Sequence, residues 1–195
     1  MFARVTTGLT IFKKYAKAKL LSWLGKSDYA TWRGTENLDP EWDARSRLLA
    51  EWIPEGSSVI EFGAGRLAMK KFLPQGCKYT PSDLVDRGEG TIVLDLNARQ
   101  LPDIGQFDVA IFGGVIEYIF DVDRLASFTA KTAKTVVFSY VSGGYLSNPH
   151  ERTVRGWVNN FAADELVHIF EAAGFRCAQR SFWNHSLLCS MSRVD

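Results

Sequence analysis

Apolar residues recur at helical spacing over the first 53 residues and come in short unbroken runs thereafter. At the angular step of an α-helix, Phe12, Tyr15, Ala16, Leu20, Trp23 and Leu24 share one broad face, with Lys14, Lys17, Ala18 and Ser22 opposite. Lys19 intrudes on the apolar side, so the pattern predicts a helix of imperfect amphipathicity. A further helix is predicted over residues 40–52, with Asp39 as its N-cap and Pro40 at the first helical position. Between the two lies Tyr29-Ala-Thr-Trp-Arg-Gly-Thr, an aromatic loop whose Tyr29, Trp32 and Arg33 are candidates to fold over a cleft as a lid.

From residue 54 the texture is that of alternating strands and helices. Strands are predicted at 58–62, 78–80, 91–94, 107–112 and 135–140, with helices at 66–73, 123–133 and 162–173, the last closed by Gly174. Residues 175–183 and 186–190 read as two final strands forming an antiparallel hairpin across Asn184-His185. Short buried strands separated by helices or tight connections imply an α/β chain with a doubly wound, mostly parallel sheet covered on both faces. The chain divides accordingly into an N-terminal helical extension or lid, residues 1–53, and a ligand-binding domain, residues 54–195.

Composition narrows the class. Hydrophobic residues make up 46% and charged residues 23%, which excludes a disordered tail or a fibrous protein. With 23 Lys+Arg against 22 Asp+Glu there is no overall field to attract nucleic acid. Cys77, Cys177 and Cys189 form no Cys-x-x-Cys pair, so the sequence indicates no metal site and a reducing, cytoplasmic setting. The longest apolar stretch, 107–120, is interrupted by Asp108 and Glu117 and is too short to span a bilayer. Every charged residue from Arg4 to Lys26 is basic. Three readings of this segment stand: a helix lying on the domain, a peripheral contact with an anionic membrane surface, or a targeting peptide.

Chemistry is sought at the carboxyl ends of the strands, where open parallel sheets bind ligands. Those ends carry Glu61-Phe-Gly63-Ala-Gly65, Asp83, Asp95 and Gly113-Gly114. The glycines permit a tight turn and close approach of a ligand to the backbone. Asp83 stands 20 residues beyond Gly63, the offset at which an acid reaches the hydroxyls of a ribose. Asp95 can accept a hydrogen bond from an exocyclic amine such as that of adenine. No Walker-type Gly-Lys-Ser follows the loop, and a crevice lined with acids repels phosphates. The pattern favours an adenosine-containing ligand without a phosphate chain.

These residues resemble the class I S-adenosylmethionine-dependent methyltransferases, which have a Rossmann-like fold. The resemblance rests on Val59-Ile-Glu61-Phe-Gly63-Ala-Gly65, Asp83, Asp95-Leu96, the run Phe107 to Gly113 followed by Val115-Ile-Glu-Tyr118, and Ala172-Ala-Gly174-Phe175. It covers residues 58–190. One departure stands out: Leu67 occupies the place of the family's third glycine.

The resemblance implies S-adenosylmethionine as cofactor. Gly63 and Gly65 would lie beside its methionyl and ribose portions, and Glu61 would help hold its amino group. Asp83 would bind the ribose hydroxyls with Leu84 near the adenine. Asp95 would take the adenine amine with Leu96 giving backbone contacts, and Phe112 and Gly113 would lie near the reacting methyl. Candidate bases are Tyr118 and Glu117 after the fourth strand and His150 in the loop after the fifth. Tyr145, His150, Arg152, Arg155 and Trp157 mix aromatic and basic groups, a lining suited to an anionic or sugar-like small acceptor. A small-molecule, glycan or lipid-linked acceptor is therefore expected. Two readings from other classes remain: a non-catalytic binding protein on this fold, and a nicotinamide dehydrogenase, against which the absent third glycine argues.

Overall fold

The computed structural model describes residues 8–88, 90–143 and 149–194. A seven-stranded sheet forms the body, in the order β3-β2-β1-β4-β5-β7-β6. The strands are β1 (Ser58–Phe62), β2 (Lys78–Asp83), β3 (Ile92–Val93), β4 (Phe107–Gly113), β5 (Ala133–Val141), β6 (Phe175–Trp183) and β7 (Ser186–Arg193). Strands β1 to β5 pair in parallel, whereas β7 runs antiparallel to both β5 and β6. Asn184 and His185, with φ of 41° and 68°, make the hairpin turn expected there.

Both faces of the central strands are buried, and alternation along the strands assigns each side chain to one of them. Ile60, Phe62, Ala110, Phe112, Val136 and Phe138 pack beneath α4 (Val122–Thr132) and α6 (Ala163–Ala172). Val59, Val109, Ile111, Val137 and Leu188 face α3 (Trp42–Ala50), which supplies Leu49 and Ala50. The doubly wound architecture thus follows from unbroken apolar runs that leave no face of the central strands polar.

Three expectations need correction. The helix expected over 66–73 is reduced to a single 3-10 turn, Met69–Lys71. Leu67 has φ 58°, outside the right-handed helical region, and Pro74 bars extension on the other side. The helix expected over 40–52 begins at Trp42, because the Asp39 carboxylate accepts from the Glu41 N–H at 2.9 Å in a tight turn instead of capping a helix. The N-terminal helix, α1 (Gly8–Leu24), does lie on the domain, but of the expected apolar face Tyr15 alone turns inward. Ile11, Tyr15 and Ala18 are half-buried, while Phe12, Leu20, Trp23 and Leu24 are exposed. It rests against α5 (Pro149–Val154), with the Tyr15 and His150 rings stacked at 4.5 Å.

Candidate functional site

The first strand ends in a turn that only glycine accommodates. Gly63 has φ +70°, and a Cβ there would stand 2.5 Å from a methyl of Val115. Gly65 also has φ in the left-handed region, and its N–H donates to Asp83 Oδ2 at 2.8 Å. That bond joins the glycine turn to the second-strand acid. Leu67 repeats the left-handed conformation, so the backbone keeps the shape a third glycine would favour while bearing a side chain. A cavity of about 440 Å³ opens beside this turn, lined by Thr35, Gly65, Arg66, Leu67, Asp86 and Arg87.

Asp83 is buried, and Arg87 shares its carboxylate: Nε lies 3.2 Å from Oδ2 and Nη2 3.3 Å from Oδ1. Arg87 also donates to the carbonyls of Trp32 at 2.5 Å and Arg33 at 3.0 Å. Its charge offsets that of Asp83, so the crevice is less acidic than the strand-end aspartates imply. Arg87 does not stand out in the sequence. Its only signal was its place four residues after the acid, and no helix there makes that spacing telling.

Asp95 is half-buried at the end of β3, where it accepts from the Asn97 N–H at 2.9 Å and the Ser27 hydroxyl at 2.7 Å. Asn97 donates to Ser27 at 2.9 Å and to the Tyr118 carbonyl at 2.9 Å. Asp28 caps α2 (Tyr29–Trp32) through the Thr31 N–H at 3.0 Å, and the Trp32 ring meets Tyr118 edge-on at 5.2 Å. Residues 27–33 are therefore tied across the ends of β2 and β3 and the turn after β4. Leu84 is half-buried, and Leu96 is packed in the core with its carbonyl accepting from Arg124 at 3.1 Å.

Glu61 is buried at the end of β1, accepting from the Tyr79 hydroxyl at 2.5 Å. Burial raises its pKa to about 8, against the lowering effects of the Tyr79 bond and the Arg45 charge. The native state therefore holds a proton on Glu61 that the unfolded chain releases near pH 4.5. This contribution to stability is complete below pH 4.5 and is lost as pH rises towards about 8. Glu61→Gln should flatten the fall in unfolding free energy across that window, removing a slope of at most about 1.4 kcal/mol per pH unit. Denaturant titrations at stepped pH check this; an unchanged slope would show that Glu61 ionises normally.

Beyond β4 the chain makes a 3-10 turn, Ile116–Tyr118. Glu117 is buried: Oε1 accepts from the Val141 N–H at 2.8 Å, and Oε2 has no hydrogen-bond partner among the described residues. Burial pushes its pKa up. Tyr118 is half-buried, its hydroxyl accepting from the Trp157 indole at 3.2 Å, and burial raises its pKa as well. The Phe112 side chain is wholly buried and stacked on Phe62 at 4.8 Å, so only its backbone is available at the strand end.

The Gly113 carbonyl accepts at 2.8 Å from Arg45, which the sequence reading did not single out. A Cβ at Gly114, where φ is +69°, would lie 2.4 Å from an Arg45 nitrogen, so the glycine pair makes room for this guanidinium. Among the described residues Arg45 Nε, shielded from solvent, has no hydrogen-bond partner, and burial lowers the Arg45 pKa against the raising influence of Glu117, Tyr118 and Glu61. The available signal was a charge one helical turn before Leu49, on the face that α3 buries.

The residues expected to line an acceptor disperse. Arg152 is buried, donating to the carbonyls of Asn159 at 2.8 Å and Val141 at 3.3 Å, and it stacks over Trp157 at 4.9 Å. It clamps the chain after β5 instead of meeting solvent. Arg155 covers the same indole at 5.5 Å. His150 stands on α5 against Tyr15, not in a loop, whereas Glu117 and Tyr118 are brought to the end of β4. Tyr145 lies outside the described residues.

The family profile described as Methyltransferase domain matches residues 34–180. No curated protein matches the sequence significantly. Among solved structures, the chain is similar to the Burkholderia thailandensis 1,6-didemethyltoxoflavin-N1-methyltransferase with bound 1,6-didemethyltoxoflavin and S-adenosylhomocysteine. That likeness has 18% identity and a TM-score of 0.64, covering 100% of this chain and 94% of that one. A methyltransferase of calicheamicin biosynthesis, in its S-adenosylhomocysteine-bound form, has 14% identity and a TM-score of 0.67 over 96% and 70% of the two chains. Human N-acetylserotonin methyltransferase in complex with S-adenosylmethionine has 15% identity and a TM-score of 0.66 over 97% and 68%.

Proposed function

The chain belongs to the methyltransferase-domain family, and from that premise we propose that it transfers a methyl group from S-adenosylmethionine to a small-molecule, glycan or lipid-linked acceptor. The observation that carries this reading is the bond from the Gly65 N–H to Asp83, which draws a bare glycine turn and a buried acid to one point. The residues at the crevice fit the cofactor. Gly63 and Gly65 leave the backbone open, Asp83 keeps lone pairs for ribose hydroxyls beside its bonds to Gly65 and Arg87, and Leu84 flanks the adenine. The second oxygen of Asp95 takes the adenine amine, Leu96 offers backbone contacts, and Glu61 holds the amino group.

The cofactor supplies an electrophilic sulfonium methyl, so the protein's main task is alignment, which can account for about 7–11 kcal/mol of a barrier. Phe112, through its backbone, and Gly113 border the place of reaction. Glu117, Tyr118 and His150 are the candidates to accept a proton. The Arg45 guanidinium beside Gly113 supports an acceptor that carries negative charge. Residues 27–33, tied across the strand ends, serve as the lid that excludes water. We place this activity in the cytoplasm, in keeping with three cysteines that are free.

Asp83→Ala should weaken S-adenosylmethionine binding by about 1–3 kcal/mol, roughly tenfold to a hundredfold, as a hydrogen-bonding carboxylate is lost. Isothermal titration calorimetry measures this directly. An unchanged dissociation constant would remove Asp83 from the site, and failure of the parent protein to bind would remove the cofactor.

A further inference from the structure

We infer that the outward face of α1 is a docking surface for anionic lipid bilayer. The helix is apolar on two sides. Ile11, Tyr15 and Ala18 turn inward, and the stacking of Tyr15 on His150 fixes that orientation. The opposite side is left bare: Phe12 is 67%, Leu20 55% and Trp23 82% exposed.

Charge selects the occupant. From residue 8 to residue 27 there are five lysines and no acid. Lys17 is held within the protein, 2.6 Å from Asp28 and 2.9 Å from the Thr31 hydroxyl. Lys13, Lys19 and Lys26 are exposed, Lys19 with its ammonium 5.7 Å over the Tyr15 ring, and among the described residues no carboxylate pairs with them. Lysines edging a Trp–Phe–Leu stripe suit an interface where rings enter the acyl boundary and ammonium groups meet anionic headgroups. A second copy of the same face would set lysine against lysine, which disfavours self-association through it. No helix among the described residues is long and apolar enough to cross a membrane.

The surface also has a mechanical link to the crevice. Just beyond α1, Ser27 bonds Asp95 and Asp28 caps α2, so a docked α1 holds the ends of β2 and β3 near the lipid. The inference stands on exposure and charge, independently of methyl transfer.

Flotation of the whole protein with vesicles tests it, comparing phosphatidylcholine alone with a phosphatidylcholine–phosphatidylglycerol mixture. Binding to the mixture is expected to exceed that to the neutral vesicles by at least roughly tenfold, since each lysine at an anionic surface contributes roughly fivefold. It should weaken as salt is raised. The triple variant Phe12→Ser, Leu20→Ser, Trp23→Ser should lose vesicle binding while keeping its melting temperature, because these side chains are exposed. A second variant, Lys13→Gln, Lys19→Gln, Lys26→Gln, should lose the preference for anionic lipid. Absence of binding by the parent, or undiminished binding by the serine variant, would overturn the inference. So would a concentration-dependent dimer that the serine variant abolishes, which would assign the face to a second copy.

Discussion

Arg45→Ala is expected to destabilise the fold by about 1–3 kcal/mol, the cost of leaving the Gly113 carbonyl without its hydrogen bond. The guanidinium holds the Gly113 carbonyl at 2.8 Å and is the cation felt by both Glu61 and Glu117. Without it, those two carboxyls would retain protons to still higher pH, so the variant should lose stability more steeply than the parent as pH rises. The sign follows from linkage. A carboxyl whose folded pKa is raised stabilises below its unfolded pKa and ceases to do so as pH passes its folded pKa. Chemical denaturation at pH 6 and pH 9 (either side of the folded pKa of about 8 for Glu61) would expose the difference. Equal unfolding free energies for variant and parent at both pH values would mean that the guanidinium plays no structural part. Arg45→Lys should rescue little, because a compact ammonium lacks the planar fork whose Nη2 meets the Gly113 carbonyl.

The second large effect is expected at Gly63. An alanine there must adopt φ +70°, costing about 1–2 kcal/mol, and must displace the Val115 methyl 2.5 Å from its Cβ, costing about 1–3 more. The combined loss of about 2–5 kcal/mol would fall on the turn that carries Gly65 to Asp83, so S-adenosylhomocysteine binding should disappear along with the stability. Gly105→Ala is the control. Gly105 has φ +84° but nothing within 4 Å of a built Cβ, so it carries the conformational cost alone. Thermal melts of the two variants separate backbone strain from steric contact. If Gly63→Ala melts with Gly105→Ala and binds the cofactor product normally, Val115 yields freely and the turn is not a constrained cradle.

Much of this molecule was legible in its residue pattern. The β1 and β6 boundaries agree with the expected runs, and the hairpin turns at Asn184-His185 as the local chemistry requires. Asp83, Gly63 and Gly65 were picked out by spacing, and the structure joins the glycine turn and the acid with one hydrogen bond. The helix expected after β1 failed because residues 66–73 have apolar content without a continuous right-handed path, which Leu67 interrupts. In the sequence Arg152 stands among residues suited to line an acceptor. It is a buried clamp, since guanidinium groups serve either use and only the neighbouring carbonyls of Asn159 and Val141 decide which.

Short-range physics therefore determined the strands, the parallel sheet and the glycine turn, all of which depend on periodicity and on which residues tolerate a given backbone conformation. Tertiary structure alone decided which side of α1 meets the domain, that Arg87 shares the Asp83 carboxylate, and that Arg45 rests against Gly113 beside two buried glutamates. Those outcomes hinge on burial and on the charges it gathers. A residue's desolvation and its partners are properties of the packed chain, set by neighbours distant in sequence, and no local pattern of residue types encodes them.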